Sequence, residues 1–414
     1  MKKILYPLLA CALLFSCQKA DNLIVKEEDD LLSKHLIGFE KWIKGPLLTE
    51  GYTRQLPDFL QDVGMQVVPA DGPKAALGRV LFYDKNLSAD RTISCSSCHQ
   101  QALAFSDKVP LSQGVGGMHS LRNSMPLGNV ASVSAHYNPL QEVVPPFLWD
   151  QRATTISDLS RMAFTSPNEM GMTMPGVVER VREGEYYPLL FKNTYGETEV
   201  TEARIMECLT EFVGAIGGGN SPLDRALEKT RASLDMANTV SADTLRNAVY
   251  YGTADTVITI TTVFRGMDGL GEQENRGRTL FVTHCTKCHS PVRPFQEVIA
   301  ACNGLEMNYK DLGLAAVTKR PEDVGVFKSP SLRNIALTAP YMHDGRFGTL
   351  QQVIDFYSDD IQPHPNLHPL LRNANGSPGL KLTLAQKTQL LAFLRTLTDA
   401  DITQDPKFSD PFKR

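Results

Sequence analysis

After its first fifteen residues the chain has no apolar run approaching about 18 residues, so its body is not expected to cross a membrane. It has no excess of positive charge either. A formal net charge of -4 gives no field for a phosphate backbone and argues against nucleic acid as a partner. Period-two alternation is scarce, which argues against a sheet protein. Of eight cysteines, Cys11 and Cys17 lie in the leader and four more in two short motifs, leaving only Cys208 and Cys302. That remainder defines no disulfide framework, and two such residues far apart in sequence also suit the role of small buried hydrophobes.

With 414 residues, 42% hydrophobic and 21% charged, the chain can bury real cores and form two domains or more. Lys2 and Lys3, the apolar run Ile4 to Phe15, then Ser16 and Cys17 follow the order of a secretion leader. Leu14-Phe15-Ser16-Cys17 also resembles a lipoprotein processing site. The expectation is a signal over 1–17 and export to the periplasm or cell envelope. There a lipid on Cys17 anchors the protein, and 18–59 forms an N-terminal extension.

Cys95-Ser96-Ser97-Cys98-His99 and Cys285-Thr286-Lys287-Cys288-His289 both read CxxCH. This spacing lets two thiols add to the vinyl groups of one haem while the adjacent His reaches its iron. A zinc knuckle would need a second ligand pair at zinc spacing and would not use His99 or His289. Two covalently bound haem c groups are therefore expected. Leu77-Gly78-Arg79-Val80-Leu81-Phe82 precedes the first motif and Arg276-Gly277-Arg278-Thr279-Leu280-Phe281 the second, so a Gly-Arg-x-Leu-Phe element is used twice, as in two homologous haem domains. Ile205, Met206, Leu209, Phe212 and Val213 share a helical face after a cap at Thr201. Thr383 and Gln386 make a capping box ahead of Leu390, Leu391, Leu394 and Leu397. The fold class expected is mainly α.

At this point the residues resemble the bacterial diheme cytochrome c peroxidase family, which includes the methylamine-utilisation diheme enzyme. The likeness spans about Leu77 to Thr398 apart from 230–270. Its landmarks are LGRVLFYDKNLSADRTISCSSCH, the RNS stretch, LWDQRATTISDLSRMAFTSPNEMG and KSPSLRNIALTAPYMHDGRFGTLQQVIDFY. The resemblance implies two cytochrome c-like haem domains, a peroxidatic one over 60–225 and an electron-transfer one over 226–385, with 386–414 packing back across both. The stretch 230–270 is expected to be a local insertion or lid.

What the resemblance implies for the site follows the same positions. His99 is the proximal ligand of the peroxidatic iron, His289 that of the second iron, and Glu169 the distal acid–base group, since one peroxide oxygen must lose a proton and the other gain it. Trp149, one of two tryptophans, matches the residue between the haems. Asn123, Thr338 and Pro340 match a calcium site, a cation that favours such oxygen ligands.

Four positions depart from the common pattern. The distal His sixteen residues after His99 is replaced by Val115, with His119 nearby in a glycine-rich loop, so an open first haem is expected. Fourteen residues after His343 stands Tyr357 in place of the usual Met, as in the methylamine-utilisation branch; Met342 and His364 are alternative ligands of the second iron. Thr283 replaces that branch's Trp two residues before the second CxxCH, and Leu159 replaces a Gln ten residues before Glu169.

The function expected first is reduction of hydrogen peroxide with electrons from a small donor protein such as a cytochrome c or cupredoxin. An oxidase acting on a protein or organic substrate is second, and a non-catalytic diheme electron carrier third. A homodimer is one assembly open to the chain.

Overall fold

The computed structural model describes residues 43, 47, 52, 70–130, 147–237, 267–289 and 300–412, with side chains only to 230 in the stretch 147–237. The leader with Cys17, most of 18–59 and most of 230–270 lie outside the described residues. The chain divides into two compact units. In one, residues 1–48 with 411–414, Ile43 pairs antiparallel with Phe412; the other, residues 49–410, holds all that follows.

The larger unit is mainly helical: α1 (Gly72–Tyr83), α2 (Cys95–Cys98), α3 (Ile156–Thr165), α4 (Met174–Glu183), α5 (Tyr187–Tyr195), α6 (Glu202–Ala215), α7 (Pro222–Ala237), α8 (Glu272–His284), α9 (Ala315–Thr318), α10 (Leu350–Asp355) and α11 (Leu384–Arg395). Among the described residues the one sheet is an antiparallel pair, β1 (Ala300–Cys302) with β2 (Val326–Lys328). The helices start where their caps dictate. Asp71 accepts from Lys74 N at 3.2 Å, Thr201 accepts from Arg204 N at 3.3 Å, and Thr383 forms the expected box with Gln386. The last helix stops at Arg395, so Leu397, expected on its face, is buried in the turn beyond it.

The repeated Gly-Arg-x-Leu-Phe element builds the same helix crossing twice. A methyl placed on Gly78 of α1 would lie 1.9 Å from the Cys208 carbonyl oxygen and 2.8 Å from Phe212 Cβ on α6. On Gly277 of α8 it would lie 1.9 Å from the Gln389 oxygen and 2.9 Å from Phe393 Cβ on α11. The Phe one turn later then meets its partner's ring, Phe82 with Phe212 at 5.2 Å and Phe281 with Phe393 at 5.1 Å. Each glycine lets two backbones touch where any side chain would hold them apart. Gly277→Ala is accordingly expected to destabilise the haem-loaded protein by about 2 kcal/mol or more, because overpacking of about 1–3 kcal/mol or above outweighs the helix preference of alanine. Thermal unfolding measures it; an unchanged or raised midpoint would mean the helices part without penalty.

The two crossings have separate surroundings. Around α8 and α11 gather Leu223, Leu350, Ile354 and Leu390. Around α1 and α6 the segment after α11 returns: Tyr83 donates to Phe408 O at 2.6 Å, Arg79 Nε donates to Ser409 O at 2.6 Å, and Phe408 packs edge-on against Phe105 and Phe212. Cys208 and Cys302 are both buried free thiols.

Candidate active site

Each CxxCH begins at a helical turn. Ser94 caps α2 reciprocally with Ser97, and the single turn stacks Cys95 and Cys98 on one side, with His99 N donating to Cys95 O at 3.0 Å. At the second motif His289 N donates to Cys285 O at 2.8 Å. The two imidazoles are oriented identically: His99 Nδ1 lies 3.0 Å from Phe105 O, and His289 Nδ1 lies 2.9 Å from Pro330 O. A carbonyl can only accept, so each Nδ1 carries the proton and each Nε2 keeps its lone pair for a metal. Burial lowers the pKa of both rings and so favours this neutral form.

The thiols are pushed up by burial, Cys95 and Cys285 to about 12 and Cys98 to about 11, although all three retain some accessible surface. Groups that are deep and yet partly accessible line recesses. Among the described residues no three His, Cys, Asp or Glu side chains gather as a metal cluster. The donor sets fit haem c: two sulfurs for thioether bonds and one neutral imidazole at each site.

Glu169 stands by the first motif, close enough for its charge to raise Cys95 and Cys98. Its own pKa is raised by burial, with Arg152 and a Ser166 hydrogen bond pulling the other way. The loop around Val115 is stitched to it: Val115 N donates to Glu169 O at 2.9 Å, and a methyl on Gly171 would lie 2.8 Å from Val115 Cγ2. The position of the common distal His is thus beside Glu169 but carries only an isopropyl group. His119 is exposed, with Nδ1 3.4 Å from Leu111 O of its own loop. Leu159, ten residues before Glu169, is half-buried on α3.

Trp149 sits on a tight loop closed by Phe147 N to Ala153 O at 2.6 Å. Leu148 and Gln151 on either side of it adopt φ of 67° and 61°, a region that few non-glycine residues occupy. Its indole donates to Asn123 O at 2.9 Å, and its own carbonyl accepts from Lys328 N of β2 at 2.8 Å. Arg122 locks this junction, paired to Asp311 through Nε at 2.6 Å and Nη2 at 2.8 Å and to Asp150 through Nη1 at 2.6 Å. Asn123 N donates to His343 O at 2.7 Å, which brings Asn123 to the segment carrying Thr338 and Pro340; all three are buried. The Asn123 amide nitrogen donates to Val109 O and Pro110 O, which turns its oxygen away from those carbonyls.

Tyr357 faces the second motif. Its pKa is pushed up to about 12, mainly by burial and further by Cys288 and Cys285, while a hydrogen bond from Asn303 opposes the shift. The helix leading to it, α10, is regular only to Asp355; Phe356–Asp360 form a π-helical turn, a form found often at functional sites. The wider turn frees Tyr357 O and Ser358 O, which accept from Leu380 N and Lys381 N. Asn303 Nδ2 lies 3.3 Å from Tyr357 Oη and 3.8 Å from Met342 Sδ, so both sulfur and phenol converge on one amide. His364 is engaged elsewhere: its Nδ1 accepts from Asn366 N at 3.0 Å and lies 3.6 Å from Cys302 Sγ. Thr283 is exposed on α8.

Sequence reasoning missed Asn303 and Arg122. An Asn beside Cys302 and an Arg in a polar loop carry no pattern of their own, and their partners lie 54 and 189 residues away.

Two CxxCH sites, one with Glu169 beside it and Val115 on the adjoining loop, are the residues of a di-haem oxidoreductase. A family model described as di-haem cytochrome c peroxidase matches residues 72–232. The chain is 28% identical over 344 residues to the methylamine utilization protein MauG of Methylorubrum extorquens, covering 80% of this chain and 79% of that protein. It is 28% identical to the cytochrome-c peroxidase IdrP2 of a Pseudomonas species, covering 88% and 96%. A crystal structure of a MauG-like protein associated with microbial copper homeostasis superimposes with a TM-score of 0.65 at 28% identity, over 83% of this chain and 94% of that one. Over most of its length the chain is thus similar to di-haem cytochrome c peroxidases and MauG proteins.

Proposed function

We propose that the protein reduces hydrogen peroxide to water, H₂O₂ + 2e⁻ + 2H⁺ → 2H₂O, with electrons from a small redox protein. The observation that carries this reading is Glu169, a carboxylate of raised pKa beside the first CxxCH, with Val115 rather than a histidine on the loop bonded to its backbone. When bound, haem supplies the iron that takes up peroxide and the electrons that cleave it. Glu169 would take a proton from one peroxide oxygen and return it to the other as the O–O bond breaks; its partial burial suits it to hold that proton between the two events. His99, its Nδ1 held by Phe105 O, would hold the haem iron through Nε2.

The fold in this proposal is two cytochrome c-like haem domains, one on the α1–α6 crossing and one on the α8–α11 crossing, with the segment after α11 returning to the first. Trp149 lies on the route between them. A calcium ion at Asn123, Thr338 and Pro340, through the free amide oxygen and two backbone carbonyls, is part of the same proposal. So are export and lipid anchorage through Cys17, supported by the leader sequence. Tyr357 near the second motif favours a second reading, oxidation of a protein or organic substrate. Turnover of peroxide with reduced cytochrome c, with spectra of both haems recorded, decides between them; no turnover would remove the first.

The resting oxidised protein is expected to show one high-spin ferric haem by electron paramagnetic resonance, because valine cannot ligate iron. Two low-spin signals without a high-spin one would show that another residue closes the first site.

A further inference from the structure

Lys328 ends β2 and opens the KSPSLRN landmark, and only 9% of its surface is exposed. Burial holds its amine down to about 8, and no neighbouring charge or hydrogen bond offsets that effect. The amine nitrogen keeps some accessible surface while the rest of the side chain is buried, and a cation in such low-dielectric surroundings gains from an anion beside it. The ion pairs of the carboxylates at this junction are with arginines, and Asp150 keeps one buried oxygen, Oδ1, without a hydrogen bond. Asp150 is paired with Arg122 and Arg152, and Asp311 with Arg122.

The place of Lys328 narrows the chemistry of the missing anion. Its backbone nitrogen bonds Trp149 O at 2.8 Å, and two residues later Pro330 O accepts from His289 Nδ1 at 2.9 Å. Lys328 therefore stands on the short stretch that joins the Trp149 loop to the second CxxCH. Each haem that the two motifs attach would bring two carboxylates, its propionates.

We propose that Lys328 is the counter-ion of a haem propionate at the junction between the two haem sites. The inference rests on the di-haem reading above. With the carboxylate beside it the amine stays protonated at neutral pH, and its positive charge offsets a negative one that would otherwise favour ferric iron.

Lys328→Met and Lys328→Arg, each carrying two haems, test this by spectroelectrochemistry, which resolves the two potentials. Methionine leaves the propionate uncompensated, so one haem is expected to become harder to reduce, with its ferric-to-ferrous ratio at a fixed potential rising about tenfold, equal to 59 mV for a one-electron couple. Arginine keeps the charge and holds that potential near wild type. The haem that moves identifies whose propionate is bound. If the Met variant binds two haems and neither potential moves, the assignment fails while the di-haem reading stands; a wild-type protein without two haems would sink that reading instead. Should the Met variant not fold, resonance Raman spectra of the Arg variant decide. The exchange of ammonium for guanidinium shifts the propionate bending band of the paired haem, and an unchanged band in both haems overturns the proposal.

Discussion

Glu169→Gln lowers peroxide turnover by roughly 10²-fold or more while both haems remain attached. Glutamine keeps the size of the side chain and its contact with Ser166 but has no basic oxygen to take the peroxide proton. Haem attachment depends on Cys95, Cys98 and His99, which the substitution does not touch, so the absorption spectrum should stay close to wild type. The pH profile provides a second readout. Burial raises the Glu169 pKa above its ordinary value of 4.5, and only the ionised form can accept a proton. Activity should therefore fall as pH drops through that raised value and be retained above it. The Gln variant should lose this acid limb along with the rate. Turnover within about twofold of wild type would assign the proton transfer to another group.

Tyr357→Met raises the reduction potential of the second haem, by on the order of 100 mV within the roughly 0.8 V that axial ligands control. A phenolate is anionic and hard and stabilises ferric iron, whereas a thioether favours the ferrous state. If the protein takes electrons from a small donor, the Met variant keeps or gains peroxidase activity. If it oxidises a substrate through stored oxidising equivalents, that activity is lost. Tyr357→Phe separates ligation from packing, because the ring remains and the oxygen does not. A second-haem spectrum unaffected by Tyr357→Phe would move the ligand to Met342, whose sulfur shares the Asn303 amide with the phenol. His364 is less well placed, since its Nδ1 is spent on Asn366 N.

Much of this was legible in the residues because it is written locally. The CxxCH motifs, the caps at Thr201 and Thr383, and the doubled Gly-Arg-x-Leu-Phe are short patterns with direct physical meaning. Gly78 and Gly277 were visible as a repeat, but their purpose was not. That purpose lies in carbonyls 130 and 112 residues further on, at Cys208 and Gln389, which no local pattern names. The π turn at Tyr357 leaves no sign in the order of apolar residues; its freed carbonyls are met by Leu380 N and Lys381 N from a distant segment. Lys328 was hidden for another reason. A buried lysine and a surface lysine read the same in sequence, and only packing tells them apart.

Trp149 is fastened at both ends, by its indole to the Asn123 carbonyl and by its own carbonyl to the Lys328 amide. A ring held in this way has little freedom to swing between rotamers. If Trp149 carries the proposed route between the two haem sites, the electronic coupling across it would be close to constant in time, and passage of an electron would be governed by driving force and reorganisation energy. Such a step has no conformational gate, so thickening the solvent with a viscogen leaves its rate unchanged while slowing the arrival of the donor.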